Sequence, residues 1–432
     1  MAKLKKINFL YIPFIFFILI ITFFYANADQ VNDLIGTNNE IIFENLKFDH
    51  SKLVINLFYQ GEYFQERYGI NYYLAKLPIL PLLITFLAKI STNIYFIYFS
   101  KNFILFTILY FSAKYYCKKQ NRNILFFLCL IAILIIIPHN LHVLLSIHFA
   151  DTIVASLLPS LFLILITEHK SKHYIASIIL FFLYLTKTSM FFLCILLPFV
   201  IILIEQAKIQ LKILSAVVVI LAIFIWGIFG YGKTGVFPFG SKILSVTSEG
   251  MSIALNKDFH NYYPKKSVDL IKIYKIKNNS YNNEWDVYAH YKQLNNDYLR
   301  ENYSRYFLDT LIKIKFILFN IHKESVWPDR NGIFHNPIMI SHIVNRCFFN
   351  LSLIISFFVL LRNFKKLSKI KNEIYFLAII STNLFPLVGG WATSKHLTGI
   401  YIVSIIYVLI KVYDKLILFF KSNSNLKIFK QT

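Results

Sequence analysis

The chain has 432 residues, of which 57% are apolar, and its net charge is +23, from 45 basic and 22 acidic residues. A soluble domain is only about 45 to 50% apolar, so this composition excludes a soluble enzyme and a disordered chain. Ten membrane spans of about 20 residues would bury the surplus. The four cysteines lie in or beside apolar runs, which excludes a secreted disulfide scaffold.

The first predicted element is an apolar run over about 7–25, which follows the basic segment 1–6. Ala26-Asn27-Ala28 has the form of a signal-peptide cleavage site, so a removed signal peptide is the alternative to a retained helix. The run is longer than the usual apolar region of about 7 to 15 residues in a signal peptide, which favours a retained transmembrane helix. In both cases Asp29 is expected just outside the membrane.

The hydropathy pattern predicts an all-α polytopic membrane protein with about ten transmembrane helices and two long outer-face segments. The stretch 78–88 is too short to span comfortably and is predicted to be interfacial or re-entrant. The predicted parts are a first transmembrane helix (1–28), a first outer loop with interfacial helices (29–93), transmembrane helices 2 to 7 (94–230), a large outer loop (231–341), transmembrane helices 8 to 10 (342–413) and a basic cytoplasmic tail (414–432).

The basic residues cluster in short loops between the apolar runs, so they indicate orientation, and no nucleic-acid partner is expected. By the positive-inside rule these loops face the cytoplasm, and the long polar segments face outward. The loops concerned are 118–122, 168–173, 205–212, 362–371 and the carboxyl-terminal tail. The abundance of Lys, Asn, Ile, Phe and Tyr is similar to that of proteins from AT-rich bacterial genomes, so the predicted location is a bacterial inner membrane.

Several ionisable residues are predicted at the outer membrane boundary, where sequence-distant groups could converge into one site. An ionisable group at such a boundary is a functional hypothesis by default, and a solvated helix end without a role is the alternative. The residues are Asp29, Asp33, Asp151, Lys187, Lys395 and His396.

Several of these positions resemble a known family. Asp29, the tract Phe58-Tyr59-Gln60-Gly61-Glu62-Tyr63-Phe64, Tyr68-Gly69 and Pro78-x-x-Pro81 look like the first outer loop of C-type glycosyltransferases related to protein O-mannosyltransferases and lipid A aminoarabinose transferases. Asp151 is similar to the family's acid in the second outer loop. Glu284-Trp285-Asp286 through Tyr306 resembles the soluble loop helix of bacterial members, and Lys395-His396 resembles a basic position at the last span.

The resemblance implies transfer of a sugar from a polyprenyl-phosphate donor to a glycolipid, polysaccharide or protein acceptor on the outer face. A single inverting displacement needs one base, for which Asp29 is the first choice and Asp33 stays open. Lys187, Lys395 and His396 would bind the donor phosphate. Asp151 would be a second catalytic acid that positions the acceptor or binds a metal. Carboxylates such as Asp29 and Asp151 suit Mg²⁺ or Mn²⁺, although no cofactor is certain. Asp33, Glu62 and Tyr68 are the predicted substrate-binding residues.

Three other patterns have a second interpretation. Gly227 to Thr234 matches the phosphate-loop expression, but it follows a membrane helix where a strand is required, which favours a helix-ending glycine cluster. His139, His142, His148 and Asp151 could bind zinc, although loose spacing favours interfacial histidines. The aromatic residues Tyr262, Tyr263, Tyr274, Tyr281, Trp285, Tyr288 and Tyr291 could stack on sugars or anchor at the interface.

The sequence thus predicts an integral membrane glycosyltransferase. One alternative is a flippase or transporter for lipid-linked saccharides, which would carry charges near the membrane midplane and paired broken helices. The other is an O-antigen-type polysaccharide polymerase, which shares the large outer loop and differs mainly in lacking an acid directly after the first span.

Overall fold

The computed structural model describes residues 10–28, 51–67, 70–74, 76–147, 150–238, 282–286, scattered helical positions between 289 and 314, 335–363, 370–389 and 394–422. These residues are mostly helical, as the hydropathy pattern predicts. A short antiparallel hairpin of β1 (Gln65–Arg67) and β2 (Ile70–Tyr72) departs from the all-α prediction. Each strand has only three residues, which is too short for an alternation of apolar and polar residues to indicate it, so the sequence pattern did not predict the hairpin.

Thirteen helices with defined bounds occur in the described part of the chain. They are α1 (Tyr11–Ala28), α2 (Ser51–Tyr59), α3 (Ile79–Ile90), α4 (Ile94–Lys119), α5 (Ile124–Ile136), α6 (Pro138–Leu145), α7 (Asp151–Leu165), α8 (Lys172–Thr186), α9 (Phe191–Ile204), α10 (Ile209–Thr234), α11 (His335–Asn363), α12 (Lys371–Gly389) and α13 (Ser394–Ser422). Every predicted apolar run is a helix. Three helices extend into predicted polar parts: α10 continues past 230, α11 begins before 342, and α13 continues past 413.

Local signals in the sequence set several helix ends. The Asn93 side chain accepts hydrogen bonds from the amides of Tyr95 and Phe96 at the start of α4, and the Asn123 side chain accepts one from the amide of Phe126 at the start of α5. Pro138 occupies the first turn of α6, where its missing N–H costs nothing. These residues therefore mark the starts of α4, α5 and α6.

Three described helices are long and apolar enough to cross a membrane. They are Ile94–Lys119, Ile209–Thr234 and Ile340–Asn363. Shorter apolar helices accompany them, including α3, α7, α8 and α9. By length and composition, the described helices are therefore compatible with a membrane protein.

Helix α7 lies at the centre of the bundle. All its residues from Asp151 to Leu165 are buried, and it packs against α4, α8 and α13. Gly399 of α13 allows close approach, because a Cβ there would lie 3.3 Å from the Val154 carbonyl oxygen and 3.2 Å from Leu158. The first turns of α7 and α13 are thereby held side by side.

The basic loops gather at one end of the bundle, which we call the basic end. Glu205, directly after α9, pairs with Lys172 at 2.6 Å and with Lys371 at 2.8 Å. Arg122, between α4 and α5, pairs with Asp414 of α13 at 2.5 Å. Loops predicted to share one side of the membrane therefore lie together in the folded chain.

Part of the predicted first outer loop (29–93) packs against α10, at the end of that helix opposite the basic end. The Tyr63 ring lies edge-on to Trp226, with centroids 6.1 Å apart, and its hydroxyl donates to the Lys76 carbonyl. Lys233 lies over the Tyr73 ring at 5.5 Å from its centroid. The hairpin and its flanking turns are thus fixed against a long apolar helix.

Candidate functional site

Three of the predicted site residues meet at the end of the bundle opposite the basic end. Lys187 forms an ion pair with Oδ1 of Asp151, and Nε2 of His396 lies 3.9 Å from Oδ2 of the same carboxylate. The Asp151 side chain is only 6% exposed, against 19% for both Lys187 and His396. We call these three residues the acid–base cluster.

Each member of the acid–base cluster lies at a helix end. Asp151 is in the first turn of α7, where a carboxylate is stabilised by the helix dipole. Lys187 is the extended residue at which α8 ends, before the 3₁₀ turn Thr188–Met190 reverses the chain into α9. His396 is in the first turn of α13. Helix ends place the three polar groups at the bundle rim while the apolar helix bodies stay buried.

The surroundings of Asp151 do not fit a divalent cation. The Lys187 ammonium contacts one of its oxygens and the His396 imidazole faces the other, and the positive charge of the ammonium would repel Mg²⁺ or Mn²⁺. Among the described residues, no group of three or more His, Cys, Asp or Glu side chains is arranged to hold a metal. The ammonium and the imidazole, as hydrogen-bond donors, suit an anion that approaches the rim.

A buried polar cluster adjoins the acid–base cluster through α13. Thr398, two residues after His396, lies 3.2 Å from Nε2 of His139, and the backbone amide of His139 donates to the Ser341 hydroxyl. The His139 and His342 rings lie 5.0 Å apart. Buried polar side chains therefore continue from the rim into the bundle.

Arg346 extends this buried polar cluster. It lies one turn beyond His342 on α11 and donates from Nε to the Tyr401 hydroxyl at 3.1 Å. Both Arg346 and Tyr401 are buried. Asn140 and Asn345 exchange reciprocal side-chain hydrogen bonds of 3.2 and 2.9 Å, which fix α6 against α11.

Two histidines of the sequence-based zinc hypothesis, His139 and His142, are buried in the protein. His142 meets the Tyr25 hydroxyl at 3.0 Å near the end of α1. The short helix α6 turns both rings inward, which spacing alone does not reveal. His148, the third histidine of the zinc hypothesis, lies outside the described residues.

Other predicted site residues lie outside the acid–base cluster or outside the described residues. Asp29, Asp33 and Tyr68 lie outside the described residues, and for Lys395 only its place in the first turn of α13 is described. Glu62 is exposed, in the turn between α2 and the hairpin.

The phosphate-loop match is a helix end. Its residues all lie in the last turns of α10, and Gly235, with φ +74°, ends the helix in the left-handed conformation. A Cβ on Gly227 would collide with the Phe237 ring, and one on Gly230 with Pro238, because the chain folds back over the helix. The glycines thus permit close packing, and no strand precedes them.

The predicted large outer loop (231–341) contacts the predicted first outer loop (29–93) through Glu284. Its buried carboxylate accepts hydrogen bonds from the backbone amides of Tyr73 at 3.3 Å and Leu74 at 3.1 Å. Asn283 caps the helical turn 284–286 by accepting from the amides of Trp285 and Asp286. Burial raises the pKa of Glu284 to about 7, although the two amides act in the opposite direction.

Trp285 packs against the apolar core, so this member of the aromatic run has a described packing role. The remaining aromatic residues of that run lie outside the described residues.

Sequence reasoning missed Lys101, Arg346 and His342, although each carried a signal. Lys101 interrupts the apolar helix α4, and Arg346 and His342 occupy the first half of an equally apolar helix. An ionisable residue inside such a helix indicates a polar partner or a functional role. All three side chains are buried in the bundle.

Comparisons of the chain with protein-family models, with curated proteins and with solved structures found no match in any of the three.

Proposed function

We propose that the protein is an integral membrane glycosyltransferase that moves a sugar from a polyprenyl-phosphate donor to a glycolipid, polysaccharide or protein acceptor. The observation that carries this proposal is the acid–base cluster of Asp151, Lys187 and His396. The ends of three helices bring together one acid and two basic groups at the rim of the bundle. This arrangement suits an anionic headgroup that enters from the membrane surface.

The proposed topology has ten crossing helices: α1, α4, α5 and α7 to α13. Its support is that the described basic loops lie together at one end and the acid–base cluster lies at the other. Helix α7 has 15 residues and is therefore about 22 Å long, less than a hydrocarbon core of about 30 Å. Because α7 is enclosed by other helices, protein covers its polar ends and the shortfall is tolerated.

In the proposed reaction, Asp29 accepts the proton of the acceptor hydroxyl as its oxygen attacks the anomeric carbon. The bond from that carbon to the phosphate oxygen breaks, and its electron pair stays with the phosphate. Lys187, His396 and Lys395 offset the negative charge that the leaving phosphate gains. Asp151 holds Lys187 and His396 at the rim until the phosphate arrives.

The test measures transfer from a labelled polyprenyl-phosphate sugar in reconstituted vesicles. Asp29→Asn should lower turnover by about 10² to 10⁴ because the proton acceptor is lost, while donor binding survives. Lys395→Gln should weaken both donor binding and turnover, since a charge-assisted contact to phosphate exists before and during the reaction. Lys89→Gln, an exposed lysine at the end of α3, is the control.

Turnover in three aspartate variants shows which residue is the catalytic base. Full turnover in Asp29→Asn with loss in Asp33→Asn or Asp151→Asn would move the base to that residue. Unchanged transfer in all three variants would remove the chemical support for a glycosyltransferase.

The buried Lys101 is an observation that favours a flippase, since charge inside a bundle is typical of transport pathways. Its ammonium, however, binds the carbonyl groups at the end of α6. A flippase would move the lipid-linked saccharide across the vesicle membrane without adding sugar to an acceptor. Movement of the lipid and transfer of sugar can both be measured in the same vesicles.

A further inference from the structure

We propose that Lys101 is a positioning residue, which sets the place of Asp151 in the acid–base cluster by binding the turn that precedes it. This inference rests on the proposed function for its catalytic consequence, but the geometry that carries it is independent of the reaction.

Lys101 lies in the second turn of α4 and is fully buried. Its ammonium donates to the carbonyl oxygens of Leu144 at 3.1 Å, Leu145 at 2.9 Å and Ser146 at 2.6 Å. These are carbonyls at the end of α6, which lack partners within their own helix. The ammonium also complements the negative end of the helix dipole.

The same ammonium reaches α7. Thr152, the residue after Asp151, lies with its hydroxyl oxygen 3.2 Å from the Lys101 ammonium. The Thr152 hydroxyl donates to the Leu144 carbonyl at 2.7 Å, so this carbonyl is shared with Lys101. One buried cation thus joins α4, the end of α6 and the first turn of α7.

The adjacent residue extends this role to α1. Asn102 donates from its side chain to the Thr22 hydroxyl at 3.1 Å, and Thr22 lies in the helix that leads to Asp29. Two neighbouring residues of α4 therefore contact α7, which carries Asp151, and α1, which precedes Asp29 in the sequence. Loss of the cation would leave buried carbonyls and allow the first turn of α7 to shift relative to Lys187 and His396.

The primary readout is the coupling between Asp151 and Lys187 in thermal stability. We expect the Tm changes of Asp151→Asn and Lys187→Met to be non-additive in the otherwise native chain, because the pair is in contact. In a Lys101→Met background the two changes should become additive, and in Lys101→Arg, which keeps the charge, the non-additivity should return. A role in stability alone would lower Tm without removing this coupling.

Two further variants complete the design. Lys114→Met is the same substitution in the same helix, at a lysine over the Phe111 ring, and should leave the coupling intact. Thr152→Val removes only the hydroxyl beside the Lys101 ammonium and should weaken the coupling between Asp151 and Lys187. If Lys101→Met fails to accumulate, this variant tests the role of Lys101 instead. In the transfer assay, Lys101→Met should lower kcat by about 10²-fold, with a smaller change in KM.

Persistent non-additivity in Lys101→Met, or in Thr152→Val where the former does not fold, would overturn the inference. If the native chain transfers no sugar, the proposed function fails, while the coupling measurement still decides the role of Lys101.

Discussion

Asp151, in the first turn of α7, forms an ion pair with Lys187, the residue at which the next helix ends. Two antiparallel neighbours thereby join opposite charges at the same end of the bundle. Helix-end charges are normally solvated, but Asp151 is only 6% exposed. The pair is therefore a contact whose loss should be measurable.

Removing one partner of this pair should cost more stability than removing both. Lys187→Met removes the ammonium that pairs with the buried Asp151 carboxylate, and Asp151→Asn removes the carboxylate that pairs with the Lys187 ammonium. We expect a coupling of roughly 1 to 3 kcal/mol between the two substitutions. Thermal unfolding of the purified single and double variants measures this coupling, and strictly additive effects would show that the pair is not formed.

The contact of Glu284 with Tyr73 and Leu74 should depend on pH. The pKa of Glu284 is raised to about 7 in the folded chain, so the folded state binds a proton more readily than the unfolded one. The contact is then most stable below 4.5, the ordinary pKa of a glutamate, and it weakens as pH rises through about 7. The difference corresponds to roughly 3 kcal/mol.

Hydrogen exchange at the Tyr73 and Leu74 amides, corrected for intrinsic rates, reports this contact. Protection should decline between pH 5 and pH 8 in the native protein and stay level in Glu284→Gln, whose amide does not titrate. Asp286→Asn, in the same helical turn, is the control and should retain the decline. An equal slope for native protein and Glu284→Gln would assign the pH effect to another group.

Glycine substitutions in α10 should separate close packing from a phosphate-binding role. Gly227→Ala should destabilise the protein by about 1 to 3 kcal/mol because its Cβ would collide with Phe237. Gly232→Ala has open space and should gain up to about 1 kcal/mol, since alanine favours a helix. Thermal unfolding compares the two. ATP-dependent stabilisation that Gly232→Ala abolishes would instead revive the phosphate-loop interpretation.

Labelling of single cysteines should establish the orientation. With the four native cysteines replaced, Glu62→Cys and Ser280→Cys should react with a membrane-impermeant maleimide in intact spheroplasts. Lys118→Cys, exposed at the basic end, should react only after permeabilisation. The reverse pattern would place the acid–base cluster on the cytoplasmic side.

Local patterns in the sequence were enough to predict the apolar helices, but not the short helix α6 or the hairpin of β1 and β2. Long apolar runs, Asn93 and Asn123 as caps, and Gly235 as a terminator act through neighbouring residues, so their effect is visible without tertiary contacts. The clustered lysines and arginines likewise predicted which loops share a side, and Glu205, Lys172 and Lys371 lie together as expected.

The partners of individual polar groups were decided only by the tertiary structure. The sequence placed Asp151, Lys187 and His396 on one face, but their contact depends on the close approach of α13 to α7 at Gly399. Lys101 was visible as a charge in an apolar helix, yet its partners are carbonyls at the end of another helix. Backbone carbonyls occur at every residue, so only the packing of helices selects those that a buried ammonium binds.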